Sequence, residues 1–318
     1  MKDLSLFISI ATLVILFGYI TYSGLQEPLG GDLISDEAVA LGEENVEEDS
    51  QAFAAVSINL PHEASFAGEP APLAMPDVME SFDKELQVNT YLHSNTLFLI
   101  KRANRWLPQI DSILEKNGIP PDFKYLPLIE SALLNDVSPK QAVGFWQILK
   151  TSGKELGLEI TKEVDQRYDP IKSTEAACKY LKKAYAKFGS WTLAAASYNR
   201  GMGGISRSLE DQRVHSYYDL YLNDETSRYV FRILAIKEIV EHPEQYGFKL
   251  DPDHLYKRER LRFVEVKEPI KDLVAFSHQQ GINYKLLKRH NPWLRSDGLS
   301  VKKGKSYVIA IPVNKSPG

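Results

Sequence analysis

The chain has 318 residues, 43% of them hydrophobic and 25% charged, which excludes disorder throughout and leaves room for one or two cores. Its single cysteine, Cys178, excludes an intrachain disulfide and a cysteine-rich metal site. The net charge of −4 is uneven: residues 24–83 hold fourteen acidic residues and no Lys or Arg, leaving 37 basic against 27 acidic residues beyond residue 83. A basic body suits a polyanion, an anionic wall polymer or a membrane surface, and charge alone does not choose among them.

Residues 4–26 carry no charge, and their centre reads LFISIATLVILFGYI. That run is long enough for a signal-peptide core and close to long enough to cross a bilayer. Lys2 precedes it and only acidic residues follow closely, which favours an N-in, C-out orientation. No small-x-small cleavage site and no lipid-accepting cysteine follows, so residues 1–24 are expected to be an N-terminal membrane anchor or signal sequence, the uncleaved anchor being favoured. A buried N-terminal helix is the alternative. Residues 25–83 are acidic, poor in aromatics and Pro-rich at their end. They are expected to be a disordered linker between membrane and folded body.

From about residue 84 apolar residues recur at helical spacing, with an interruption expected near Pro108. GIPPD marks a break with Pro at a helix start, and FKYLPLIESALL follows as a helical stretch kinked or shortened by Pro127. Segments 151–157, 171–188, 191–200 and 225–242 also read as helices, with Cys178 on an apolar side. β-Branched, alternating text is scarce until residue 262. Residues 84–248 therefore predict an all-helical domain, and the chain as a whole a mainly α fold.

Within YLPLIES a carboxylate, Glu130, ends an apolar run. A charge there is costly unless the chain turns it out to water or the fold holds it in a poorly solvated place. Three further stretches stand out: AVGFWQI at 142–148, ASYNRGMGG at 196–204 and ETSRYV at 225–230. Each has an ordinary structural explanation. Trp146 reads as a packing aromatic, and Gly201, Gly203 and Gly204 as a helix end. Tyr198 and Asn199 could be a polar pair at that end, Glu225 a charge favoured at a helix start, and Tyr229 a core residue with a wet hydroxyl.

In this order and spacing, the run GIPPDFKYLPLIES…SPKQAVGFWQI…YDP…AAASYNRG…ETSRYV resembles the family 1 lytic transglycosylases of bacterial cell walls, most closely the membrane-bound type D group. The resemblance covers about residues 85–242. It implies a goose-lysozyme-like helical fold. It also implies cleavage of the β-1,4 bond between N-acetylmuramic acid and N-acetylglucosamine in peptidoglycan glycan strands, leaving a 1,6-anhydromuramoyl end and needing no cofactor. By that resemblance Glu130 is the sole catalytic acid, followed by the Ser131 of the family's E-S pair. Gly144, Trp146 and Gln147 match G-x-W-Q. Tyr198, Asn199 and Gly201 match A-Y-N-x-G, with Ser197 in place of Ala. Glu225, Thr226 and Tyr229 match E-T-x-x-Y. Leu133, Leu134 and Asn135 stand where Phe and Pro are usual, and Phe145 replaces Leu or Met.

That chemistry needs an acid still protonated near neutral pH, whereas a free Glu ionises near pH 4.3. The apolar text around Glu130 supplies surroundings that penalise its charged form. Glu130 is thus expected to protonate the leaving oxygen and then take a proton from the muramoyl C6 hydroxyl. Tyr198 is expected to bring a hydroxyl near the Glu130 carboxyl or the sugar. Gln147 and Asn199 suit the reading of N-acetyl and hydroxyl groups. Ser131, Trp146 and Tyr229 join the substrate-binding candidates, while Gly144, Gly201 and Glu225 are expected to support the site. The seven His are scattered without ligand spacing, so no metal is expected, and GMGG lacks the context of a phosphate loop. A hydrolytic muramidase of the same fold and a catalytically idle wall-binding protein are the alternatives. Nucleic-acid binding is a poor fourth, for lack of an aromatic-interleaved basic module.

Residues 260–314 read strand, helix, helix, strand, with IKDLVAFSHQQG and NYKLLKRHN as helices and SYVIAIP as the closing strand. The pattern resembles a LysM module, a small α+β (βααβ) fold that binds N-acetylglucosamine polymers, although KEPIKD replaces the usual Gly-Asp-Thr turn. Glycan binding and a degenerate module kept for packing are both open readings.

Overall fold

The computed structural model describes residues 56–313. The segment expected to enter the membrane at 1–24, and the expected linker up to residue 55, lie outside the described residues. Among those described, no helix is long and apolar enough to cross a membrane.

From Val56 onward the linker expectation gives way to folded chain. Strands β1 (Ser65–Phe66) and β2 (Glu69–Pro70) form a short hairpin, and helix α1 spans Pro76–Tyr91. Phe66, Val78, Phe82 and Leu86 are buried in the main core. Each contributes about 2 kcal/mol of apolar burial, which acidic composition cannot offset when the acids point outward, as Asp77 and Glu80 do.

Helix α2 (His93–Lys116) runs unbroken through Pro108, against the expected interruption. Pro108 is on the solvent side, and Asn104, whose carbonyl loses its helical partner, is exposed too, so water can replace the missing bond. A 3-10 turn at Pro121–Tyr125 leads into α3 (Leu126–Ser131), with Pro127 in its first turn, where it removes no helical bond. Helices α4 (Lys150–Glu155), α5 (Pro170–Phe188) and α6 (Trp191–Arg200) follow. The GMGG text opens helix α7 (Met202–Gln212) where a helix end was expected. Gly201 does end α6, but Gly204 lies inside α7, where a Cβ would stand 2.9 Å from the Arg200 side chain.

Helices α8 (Asp224–Ser227) and α9 (Tyr229–Glu241) complete the body. Helix α9 is apolar on nearly all sides and sits centrally, packed against α1, α3 and α6. The last part forms the expected βααβ unit: β3 (Leu261–Val266), α10 (Leu273–Gln279), α11 (Tyr284–His290) and β4 (Tyr307–Pro312). The strands pair antiparallel from Leu261 with Pro312 to Val266 with Tyr307. A second core of Leu273, Leu287, Trp293, Leu294, Ile309 and Ile311 lies beneath them. The fold is mainly α with a small α+β unit at its end.

Candidate active site

Glu130 sits one residue before the end of α3, and the chain after it turns sharply. Ala132 and Leu133 both have positive φ, 50° and 59°, a conformation L-residues adopt only when their surroundings demand it. Those surroundings are on hand. Ala132 N donates to Leu128 O at 2.9 Å, Arg102 Nε donates to Ala132 O at 2.6 Å, and the Leu133 side chain is buried. Ser131 Oγ donates to Phe145 O at 2.9 Å and to Pro127 O at 3.2 Å, fastening this turn to the Gly144–Gln147 segment.

The Glu130 side chain is half-buried, walled by protein yet still in touch with solvent. Tyr229, buried at the start of α9, donates its hydroxyl to Glu130 Oε1 at 2.6 Å. One turn further, Arg232 donates Nη2 to Ile129 O at 2.7 Å and brings its charge near the carboxyl. Burial raises the Glu130 pKa above the ordinary carboxylate range; the Tyr229 bond and then the Arg232 charge oppose it, and Glu225 adds to it. Burial outweighs the rest, so the acid holds its proton to higher pH. The Tyr229 and Tyr198 phenols are pushed well above their usual range, first by burial and then by Glu130, so both act as neutral donors.

Several expected roles change. Tyr198 is close enough to feel Glu130, but its hydroxyl donates to Trp146 O at 2.7 Å; the hydroxyl on the Glu130 carboxyl belongs to Tyr229. Tyr229 is thus a partner of the acid and has no surface to offer a substrate. Trp146 is fully buried, with Nε1 donating to Thr174 Oγ1 at 2.8 Å, so its ring cannot serve as a sugar platform. Gln147 remains reachable at φ 45°, its Nε2 donating to Gly144 O at 2.9 Å. Asn199 is engaged at both ends of its amide: Nδ2 donates to Glu225 Oε1 at 3.0 Å, and Oδ1 accepts from Thr226 Oγ1 at 2.8 Å. Glu225, 59% exposed, therefore ties α8 to the end of α6 that carries Tyr198 and Asn199.

Gly144 has φ +79°, and a Cβ there would fall 2.1 Å from Arg167 O. Only glycine allows that approach. Arg167 is itself buried, pairs with Asp165 through Nη2 at 2.7 Å, and donates Nη1 to Gln141 O and Ile148 O, both at 3.2 Å. Arg232 and Arg167 were missed by the sequence reading. Arg232 had a signal: YVFRILAI sets a cation in an apolar helical run, as YLPLIES sets an anion. Among the described residues, no cluster of His, Cys, Asp or Glu is arranged to hold a metal ion.

Comparison with known proteins bears on the two folded units. Residues 109–220 match the transglycosylase SLT domain model. Residues 262–315 match the soluble lytic transglycosylase C-terminal LysM-like domain. Membrane-bound lytic murein transglycosylase D of Escherichia coli (strain K12) is 28% identical over 254 residues, 77% of this chain and 54% of its own length. The protein of the same name from Escherichia coli O6:H1 gives the same figures. The chain thus spans about half the length of these curated relatives. An X-ray structure of an inactive mutant of lytic transglycosylase Slt from Pseudomonas aeruginosa aligns with TM-score 0.36 and 21% identity, over 50% of this chain and 27% of that one, a likeness that fixes nothing further. The helical body is thus similar to the transglycosylase SLT domain, and the C-terminal unit to the LysM-like domain of soluble lytic transglycosylases.

Proposed function

We propose that this protein is a peptidoglycan lytic transglycosylase, which breaks the β-1,4 bond between N-acetylmuramic acid and N-acetylglucosamine and closes a 1,6-anhydro ring on the muramoyl product. The observation that carries the reading is Glu130, a carboxyl held toward its protonated form by burial while still open to solvent, inside an SLT domain. Its Oε1 is committed to the Tyr229 hydroxyl, which leaves Oε2 to face the sugar. Oε2 delivers its proton to the glycosidic oxygen as the C1–O bond breaks. The resulting carboxylate is steadied by Tyr229 and the nearby Arg232 charge, the two influences that favour its ionised form. It then takes the proton of the muramoyl C6 hydroxyl, O6 bonds to C1, and the acid is restored without consuming water. Gln147, half-buried on the loop that Ser131 bonds, is the amide we assign to substrate contact, and Ser131 the group that fixes the turn carrying Glu130.

The two Escherichia coli relatives are named as membrane-bound lytic murein transglycosylases. We place this protein likewise at the bacterial cell envelope, on its periplasmic face, held to the membrane by residues 1–24. Mass spectrometry of digested sacculi tests the chemistry. Anhydromuramoyl ends are expected, and Glu130→Gln should reduce their release by about 10²–10⁴-fold or more while leaving the fold intact. Reducing ends in their place would establish the hydrolytic alternative, and undiminished release by Glu130→Gln would remove Glu130 from the mechanism.

A further inference from the structure

The LysM-like unit is joined to the helical body through residues 159–167. Backbone bonds between Gln166 N and Glu159 O, and between Thr161 N and Val164 O, fold this stretch into a hairpin directed at the C-terminal unit. Its tip supplies a side chain to the other core: Val164 is 2% exposed and belongs to the cluster of Leu273, Leu287 and Leu294. Backbone bonds run along both sides, from Arg295 N to Glu163 O at 2.7 Å and from Asp165 N to Trp293 O at 2.9 Å. The Glu163 carboxylate accepts from Ser300 N at 2.7 Å and Ser300 Oγ at 3.0 Å. Glu159 accepts from Lys305 Nζ at 2.7 Å and from the Tyr307 hydroxyl at 2.9 Å. The joint is built from a buried apolar plug, a backbone ladder and charge-assisted bonds.

The same hairpin continues without a break into the site. Asp165, whose N–H is bonded to the C-terminal unit, holds the Arg167 guanidinium with its carboxylate. Arg167 in turn holds Gln141 O and Ile148 O, the two ends of the loop that carries Gly144 and Gln147, and its own carbonyl lies under Gly144. On its inner side that loop accepts bonds from Ser131, next to Glu130, at Phe145 O and from Tyr198 at Trp146 O. The loop is thus gripped from within by the catalytic elements and from without by a stretch anchored in the LysM-like core. The loop has positive φ at Gln141 (62°), Gly144 and Gln147, and at the two glutamines that conformation is costly and needs support from its surroundings.

We propose that the LysM-like unit acts as a brace for the Gly144–Gln147 loop, with Val164, Glu163 and Asp165 as positioning residues that act on turnover through Arg167. This assignment rests on the transglycosylase reading of the Glu130 site and adds a role to the C-terminal unit within it. Trp293 and Tyr307, the aromatic pair next to this joint, stack on each other and are buried, so the face turned toward the body is taken up by packing.

The test uses the full chain with Val164→Asp, which puts a carboxylate into the C-terminal core, beside Glu163→Ala, which removes two bonds and leaves the plug, and Val164→Ile as the conservative control. Hydrogen exchange is read at residues 141–148 and turnover on sacculi, with binding followed by pelleting. Val164→Asp is expected to speed exchange at 141–148 and lower kcat by about tenfold or more, the scale expected when a site group is displaced by a fraction of an ångström. Pelleting should change less than twofold, Glu163→Ala should fall between, and Val164→Ile should match wild type. If Val164→Asp leaves both exchange at 141–148 and kcat unchanged, or lowers only pelleting, the bracing role is wrong. The exchange arm reads the brace even if wild type released no anhydro product, so failure of the transglycosylase reading is seen separately.

Discussion

Replacing Glu130 by Gln tests the physical premise of the site without any substrate. In the unfolded chain this carboxyl ionises near pH 4.3, whereas in the fold burial delays ionisation, against the pull of Tyr229 and Arg232. A carboxyl whose folded pKa is raised gives its full contribution to stability below the unfolded pKa and loses it as pH rises through the folded one. Every pH unit of delay costs about 1.4 kcal/mol above that window. For a folded body of this size each kcal/mol moves Tm by about 2–4 °C. Gln keeps the shape and can still accept from Tyr229, but it has no charge to bury. Glu130→Gln should therefore melt with wild type near pH 4 and above it at pH 8, by about 3–6 °C for each pH unit by which burial delays ionisation. Scanning calorimetry of both proteins from pH 4 to pH 8 reads the difference. A gap that is the same at both ends, or a wild type that is the more stable at pH 8, would refute the claim that burial sets the state of this acid.

Tyr229→Phe removes the bond that favours ionised Glu130, so the pH above which activity falls should move upward, with lower turnover at its optimum; a pH–rate profile on sacculi checks the sign. Gly144→Ala must accommodate a Cβ 2.1 Å from Arg167 O at φ +79°, and the combined strain should cost about 3 kcal/mol or more in urea unfolding. Trp146→Phe leaves Thr174 Oγ1 without its donor and opens space in the core, for a loss of about 1–3 kcal/mol. Its pelleting with sacculi should stay at the wild-type level, since the ring never reaches the surface.

The sequence made the site legible where its text broke a local rule. Glu130 inside an apolar run, Gly144 before two aromatics, and Tyr198-Asn199 beside glycines all fall within one bonded neighbourhood. What it could not convey was direction. Tyr198 was expected near the acid and Tyr229 at the substrate, yet which hydroxyl bonds Glu130 depends on how α6 and α9 are rotated, a tertiary fact that one-dimensional spacing does not carry. Trp146 likewise reads as either platform or core until its nitrogen is seen to meet Thr174. The βααβ end was legible because β-branched alternation and two short helical runs agree locally with the fold they join. Composition misled over residues 56–83: an average across the acidic stretch hid Phe66, Val78 and Phe82, whose side chains are bound for the core. The GMGG text misled because small residues mark turns and close helix contacts alike, and Gly204 is the second kind.

Glu69, in the hairpin, has a consequence for how the protein can be shortened. Its carboxylate receives Trp191 N at 2.6 Å, Thr192 N at 2.9 Å and the hydroxyls of Ser190 and Thr192, closing the amino end of the helix that ends in Tyr198 and Asn199. A version trimmed to begin where the helical periodicity first becomes obvious would strip that lid from the amino end of α6 and leave Phe123 without the edge of Phe66. The smallest version that keeps this helix end closed therefore has to begin upstream of Phe66, well before the helical text.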